Sequence, residues 1–279
     1  LGPAIGGVIV AFSVPFAYVM AATSSLIFIV FLAIIPIRVS KRPVGAASFT
    51  ELVAGIRFVW NTRIILTMIT LDLFAVLLGG AVYLLPIFAQ DILKVGATGF
   101  GWLRAAPAVG AFFMALLLIY MPPMKNAGRA LLLNVAGFGV ATIIFGFSQS
   151  FWLSFVMLFL TGAFDNVSMV IRGTLQQLLT PDHMRGRVSA VSSIFVGASN
   201  ELGGLESGVV AHWLGPVFSV VSGGIGTLLV VLAASYMSPQ LRRFGSLTDT
   251  PPSEEITTPT PPYGIESRPV AGQSGTADD

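Results

Sequence analysis

Cysteine is absent from the 279 residues, and histidine occurs only twice, as His183 and His212. The first absence excludes disulfides, thiolate metal sites and cysteine nucleophiles. The two histidines stand apart, one in a basic turn and one at the end of an apolar run. Neither forms the helical pair that a zinc site uses. Charge is scarce as well: Asp, Glu, Lys and Arg make up 10% of the chain, against about 25% in a soluble domain. A water-facing surface cannot be built from so few charges. The formal net charge of +2 is small, and the basic residues sit in short loops rather than on one face, so nucleic acid is not an expected partner. Glycines never follow a strand pattern, which leaves a nucleotide-binding loop unsupported. Neither a metal nor a resident cofactor is expected, and no enzyme signature is present. The chain opens with Leu1 inside an apolar segment, with no methionine and no basic stretch followed by a cleavage site. The start is therefore not a signal peptide; it reads as a chain that begins partway through a larger protein.

What fills the chain is apolar. Hydrophobic residues account for 54%, and the mean hydropathy is +0.85. A helix crosses the hydrocarbon of a bilayer in about 20 residues, and the chain divides into about eight apolar runs read as spans, a short one near 1–12 and longer ones near 15–36, 64–88, 100–121, 130–147, 151–179, 188–213 and 216–237. The expected fold is all-α, a polytopic bundle of membrane helices whose main partner is the lipid bilayer. Between the second and third runs, residues 44–63 are mixed. Ser48-Phe49-Thr50-Glu51 has capping-box spacing, which marks a helix start. Leu52, Ile56 and Val59 then recur at helical intervals, so a short helix along the inner face is expected. From Ser238 onward Pro, Ser, Thr, Gly and acidic residues dominate. Such a segment buries too little surface to offset its ordering entropy and reads as a disordered tail.

Lys and Arg fix the orientation. One set of alternating loops holds Arg38, Lys41, Arg42, Arg57, Arg63, Lys125, Arg129, Arg185, Arg187, Arg242 and Arg243, and the other holds Lys94 alone. The basic set faces the cytoplasm, and the tail lies on that side.

Polar groups inside the runs carry the chemistry. Ionisable residues at membrane depth are costly and by default belong to a pathway or a polar pairing. Asp165 and Arg172, seven residues apart, share one helix face, with Asn166 beside the first. Asp72 lies roughly 12 Å from the inner end of its run, and Asn200 and Glu201 roughly 20 Å into theirs. A carboxyl group desolvated at such depth is the kind that proton coupling uses. A static bridge from Asp165 to Arg172 is the alternative reading. Arg104, near an outer end, can snorkel to the headgroups.

Two segments carry a resemblance. Leu1-Gly2-Pro3-Ala4-Ile5-Gly6-Gly7 resembles the Gly-Pro motif in the fifth helix of major facilitator superfamily transporters, the motif associated with antiporters. Pro181-Asp182-His183-Met184-Arg185-Gly186-Arg187-Val188 is similar to the loop between helices ten and eleven in the enterobactin-exporter-like, or transmembrane secretion effector, branch. Gly128-Arg129 resembles the end of the superfamily's basic loop motif, although Pro122-Pro123-Met124-Lys125-Asn126 replaces most of its charged pattern. The resemblance implies that the runs are helices five to twelve of a twelve-helix fold. Residues 1–37 would close the N-terminal half, 38–63 form the central cytoplasmic loop, 64–238 the C-terminal half and 239–279 the tail. Gly204-xxx-Gly208 and Phe218 echo Gly2-xxx-Gly6 and Phe16 at the same offset, as a repeat related by an axis along the membrane normal would. It further implies a cell-membrane permease that exports a small organic molecule, such as a drug or a siderophore, in exchange for protons. Asp72, Asp165, Arg172, Asn200 and Glu201 would be its coupling or substrate groups. Gly2, Pro3, Gly6 and Gly7 would shape helix packing, and Asp182, Arg185, Gly186, Arg187, Gly128 and Arg129 the cytoplasmic loops. The reading from a different class is a non-transporting scaffold or sensor whose tail binds a partner.

Overall fold

The computed structural model describes residues 13–34, 49–121, 124, 126–242 and 244–245. The Gly2-Pro3-Gly6-Gly7 motif, the basic residues Arg38, Lys41 and Arg42, and the segment from 246 onward lie outside the described residues. Every element within them is helical. Helix α1 spans Val14–Ile34, and Ser13 starts it by accepting a bond from the Phe16 N–H at 3.4 Å. Hydroxyls in the same helix are satisfied locally: Thr23, Ser24 and Ser25 donate to the carbonyls of Val19, Met20 and Ala21 at 2.8, 2.6 and 2.9 Å. That pairing satisfies these three hydroxyls within the helix, as membrane depth requires.

Helix α2, Phe49–Asn61, begins at the residue after Ser48, where the capping-box spacing places a start. Only Thr62 separates it from α3, Arg63–Leu78. The third expected run is not one helix. It breaks at Gly79-Gly80, resumes as α4, Ala81–Ile87, and ends in a π-helical turn, Phe88–Ile92. Pro86 lies inside α4 and has no N–H to give the carbonyl four residues earlier. That carbonyl belongs to Val82, and Arg104 donates to it from Nη1 at 3.2 Å. The arginine expected to snorkel thus ties α4 to its neighbour and repairs the bond that Pro86 removes. A short link follows, in which Lys94 adopts φ 53°, and α5 runs Gly96–Tyr120, continuous through Pro107.

The remaining long helices are α6, Ala127–Phe147, α7, Phe151–Leu179, α8, Arg185–Leu214, and α9, Pro216–Met237. Among the described residues six helical stretches are long and apolar enough to cross a membrane: Pro15–Ile34, Arg63–Ile92, Gly96–Tyr120, Ala127–Phe147, Phe151–Leu179 and Pro216–Met237. Helix α8, expected to cross over 188–213, has 30 residues but does not join them. Asn200, Glu201, Glu206 and its many Ser and Gly residues make it the most polar of the long helices.

Helix α7 packs against α5 and α6, α9 against α6, and α3 against α8 and α9. Two apolar layers fill the bundle. Ile65, Leu71, Leu131, Ile171, Leu175 and Val188 belong to one, and Leu85, Phe88, Leu103, Phe145 and Leu158 to the other. Outside them, Phe113, Leu133, Trp152, Trp213 and Tyr236 are exposed. A helix surface apolar on its outer side as well as its inner one suits lipid, not water.

Residues 239–245, grouped with the tail by composition, include a short helix, α10, Pro239–Arg242. Leu241 is fully buried, and the Gly245 carbonyl accepts the Ala127 N–H at 3.1 Å. Gly128 makes this possible, since a Cβ there would overlap the Leu241 carbonyl. Gly128→Val should therefore release residues 239–245 from the start of α6, seen as faster protease cleavage after Arg242 with the bundle still folded. Unchanged cleavage would remove this role from Gly128.

Candidate functional site

Three charged side chains from two helices meet inside the bundle. Helix α7 holds Asp165 at its midpoint and Arg172 two turns further on; α3 brings Asp72. The Arg172 guanidinium is directly ion-paired through Nη1 to Asp72 Oδ1, and its Nη2 lies 3.6 Å from Asp165 Oδ1. Nε donates to the Ser168 carbonyl at 3.3 Å, fixing the plane of the fork from within its own helix. The sequence pairs Arg172 with Asp165; the structure makes Asp72 the direct partner and Asp165 the looser one. Seven residues along a helix is about 10.5 Å of rise, a long reach within one helix, whereas α3 lies alongside.

The two carboxylates differ in access. Side-chain exposure is 12% for Asp72 and 16% for Arg172, but 47% for Asp165. One cation between two carboxylates leaves one negative charge unbalanced, and Asp165 is the group both weakly held and open. Next to it is a small cavity with about 20 Å³ of room, lined in part by Asp72, Asn134, Phe138, Phe164, Asp165 and Ser168. One water needs roughly 10–15 Å³, so the cavity, mostly apolar with a few polar groups in its wall, has room for a single water. Asn134 donates from Nδ2 to the Ala130 carbonyl at 2.7 Å, which fixes its amide and leaves Oδ1 as an acceptor. Asn166 Oδ1, one residue past Asp165, is buried with no hydrogen-bond partner among the described residues.

Other candidates lie apart from this cluster. Asn200, on α8, turns back on its own helix and donates to the Val196 carbonyl at 3.0 Å. Glu201 beside it is exposed. Neither lines the cavity. In the connection before α8, Asp182 and Arg185 pair at 3.0 Å on an exposed surface, worth at most about 1 kcal/mol. There Asp182–Met184 forms one 3-10 turn, and Arg185, Gly186 and Arg187 are already the first turn of α8. Arg129 is exposed at the start of α6. Asn134 is the residue sequence reasoning passed over. Its signal was present, since it is the lone amide in the apolar run of α6.

The chain matches the transmembrane secretion effector family over residues 1–268. Among curated proteins it is similar to Enterobactin exporter EntS of Escherichia coli O1:K1, 26% identical over 253 residues, which cover 90% of this chain and 60% of that protein. Enterobactin exporter EntS of Shigella flexneri is likewise 26% identical over 253 residues, 90% of this chain and 59% of the relative. The chain thus spans about three fifths of the length of these relatives.

Proposed function

This chain belongs to the transmembrane secretion effector family of major facilitator proteins, and from that premise we propose that it serves as the C-terminal half, with part of the first half, of a permease that exports a small organic molecule against a flow of protons. A drug or a siderophore is the substrate class that fits, the latter because the relatives are named as enterobactin exporters. The protein carries its substrate across the cell membrane unchanged rather than making or breaking bonds. Helices 63–92, 96–120, 127–147, 151–179, 185–214 and 216–237 make up the second half, with the C-terminal end of the chain on the cytoplasmic side. Alternating access needs two halves rocking about a mid-membrane site, so transport belongs to the protein of its relatives' length.

The observation that carries the reading is the unequal sharing of Arg172 between Asp72 and Asp165. Asp72 holds the guanidinium as a fixed charge pair, and Asp165 is left to exchange a proton or a cationic substrate group for the guanidinium's second interaction. Each state of Asp165 changes how strongly α7 is drawn toward α3, which couples proton occupancy to helix position. Glu201, exposed on α8, stands apart from this cluster and takes no part in that exchange; with Asn200 it remains a separate candidate contact for substrate.

Asp165→Asn tests this in the protein of full length, in everted membrane vesicles loaded with a pH-sensitive dye. Wild type should release protons when a transported compound, enterobactin among those tried, is added. The variant should insert normally and lose proton-coupled export by roughly 10- to 100-fold, the effect of removing one charged partner worth about 1.5–3 kcal/mol. Export and proton release at wild-type levels would remove Asp165 from the coupling step.

A further inference from the structure

Helix α2 is apolar on two opposite sides. Gly55 and Val59 are buried, and Ala54 and Phe58 are half-buried against the bundle. The opposite stripe, Val53, Ile56 and Trp60, is 44%, 41% and 69% exposed. Positions i, i+3 and i+7 line up on one helix face, so these side chains form one continuous apolar edge. Arg57 is exposed at its margin, and Arg63 is exposed at the first residue of α3. A solvated linker helix would carry polar residues there.

How α2 sits says what the stripe meets. A Cβ on Gly55 would lie 3.1 Å from the Arg187 carbonyl and 3.2 Å from Val191 Cγ2. Those two residues are one turn apart on α8, so α2 packs on the flank of α8 rather than beneath its end. Thr62 alone separates α2 from α3, so Trp60 stands at the depth where a membrane-crossing stretch begins. Tryptophan favours that depth in a bilayer, and arginines at the cytoplasmic surface attract anionic lipid.

We infer that α2 is an interfacial anchor: Val53, Ile56 and Trp60 lie in the headgroup region of the cytoplasmic leaflet, and Arg57 and Arg63 bind anionic lipid phosphates. The helix thereby ties the start of α3, nine residues before Asp72, to the membrane surface.

This chain has no cysteine, so the test is direct once any cysteines outside it are replaced. Val53→Cys, Ile56→Cys, Arg57→Cys and Trp60→Cys, made singly in the full-length protein, are spin-labelled in nanodiscs containing phosphatidylglycerol. Power saturation with oxygen and with a water-soluble nickel chelate then reads depth. Labels at 53, 56 and 60 should be reached several-fold better by oxygen than the label at 57, and replacing phosphatidylglycerol by phosphatidylcholine should raise nickel access at all three. Labels at 53, 56 and 60 that are as open to nickel as the one at 57 would overturn the inference. So would labels reached by neither reagent, since that pattern means a protein partner covers the stripe. Ile56→Cys keeps the test valid if loss of Trp60 itself disturbs the helix.

Discussion

In the full-length protein Arg172→Met should abolish the proposed transport and also destabilise the folded bundle by about 3–5 kcal/mol, the cost of stranding a buried charge. The substitution preserves length and apolar bulk but leaves Asp72 inside the bundle with its ion pair gone. Asp165 loses its partner too, so both carboxylates face each other across the cavity with no cation between them. Thermal unfolding in detergent measures the first effect and vesicle export the second. The double variant Asp72→Asn/Arg172→Gln separates them, because a neutral amide pair restores most of the stability without the charges. Its melting temperature should return toward wild type while export stays absent. Export restored along with folding would mean that the charges serve structure alone.

Gly162→Val is expected to be the most damaging change away from the charged cluster. Helices α5 and α7 meet backbone to backbone: a Cβ on Gly162 would overlap the Pro107 main chain, and one on Gly110 would overlap the Phe159 carbonyl. Small residues at such crossings allow the close approach that drives helix association in lipid. A valine has no flexible end that could swing aside, since its obstacle is main chain. Overpacking in cores costs about 1–3 kcal/mol where side chains can shift, and here they cannot. The expected result is loss of a monodisperse peak on size exclusion in mild detergent, with Gly162→Ala intermediate. Normal elution of the valine variant would mean that α5 and α7 sit further apart than described.

Hydropathy located most of the helices because lipid selects on composition alone. Helix α7 ends at Leu179 and α9 at Met237, as the apolar runs do. The break at Gly79-Gly80 was hidden because glycine is ordinary in membrane helices, and only the neighbours reveal its use. Pro86 and Arg104 are eighteen residues apart, and nothing in the sequence says that one supplies the donor the other lacks. Charge at membrane depth pointed to Asp72, Asp165 and Arg172, and these do come together. Which carboxylate holds the arginine was not legible, because it depends on the neighbouring positions of α3 and α7. Asn200 and Glu201 carried the same signal, yet α8 places them away from the cavity. Depth is readable from spacing; rotation about a helix axis is set by packing.

Water access to residue 165 is the measurement that bears most directly on the account. Asp165→Cys and Leu133→Cys, the latter 72% exposed on the apolar exterior, are compared in membrane vesicles of the full-length protein. A membrane-impermeant thiol reagent is added with any cysteines outside this chain replaced. The account predicts that position 165 is modified and position 133 is not, and that a transported compound slows the reaction at 165. Inertness at 165 equal to that at 133 would place the carboxylate in lipid or dry protein and contradict a pathway through the charged cluster.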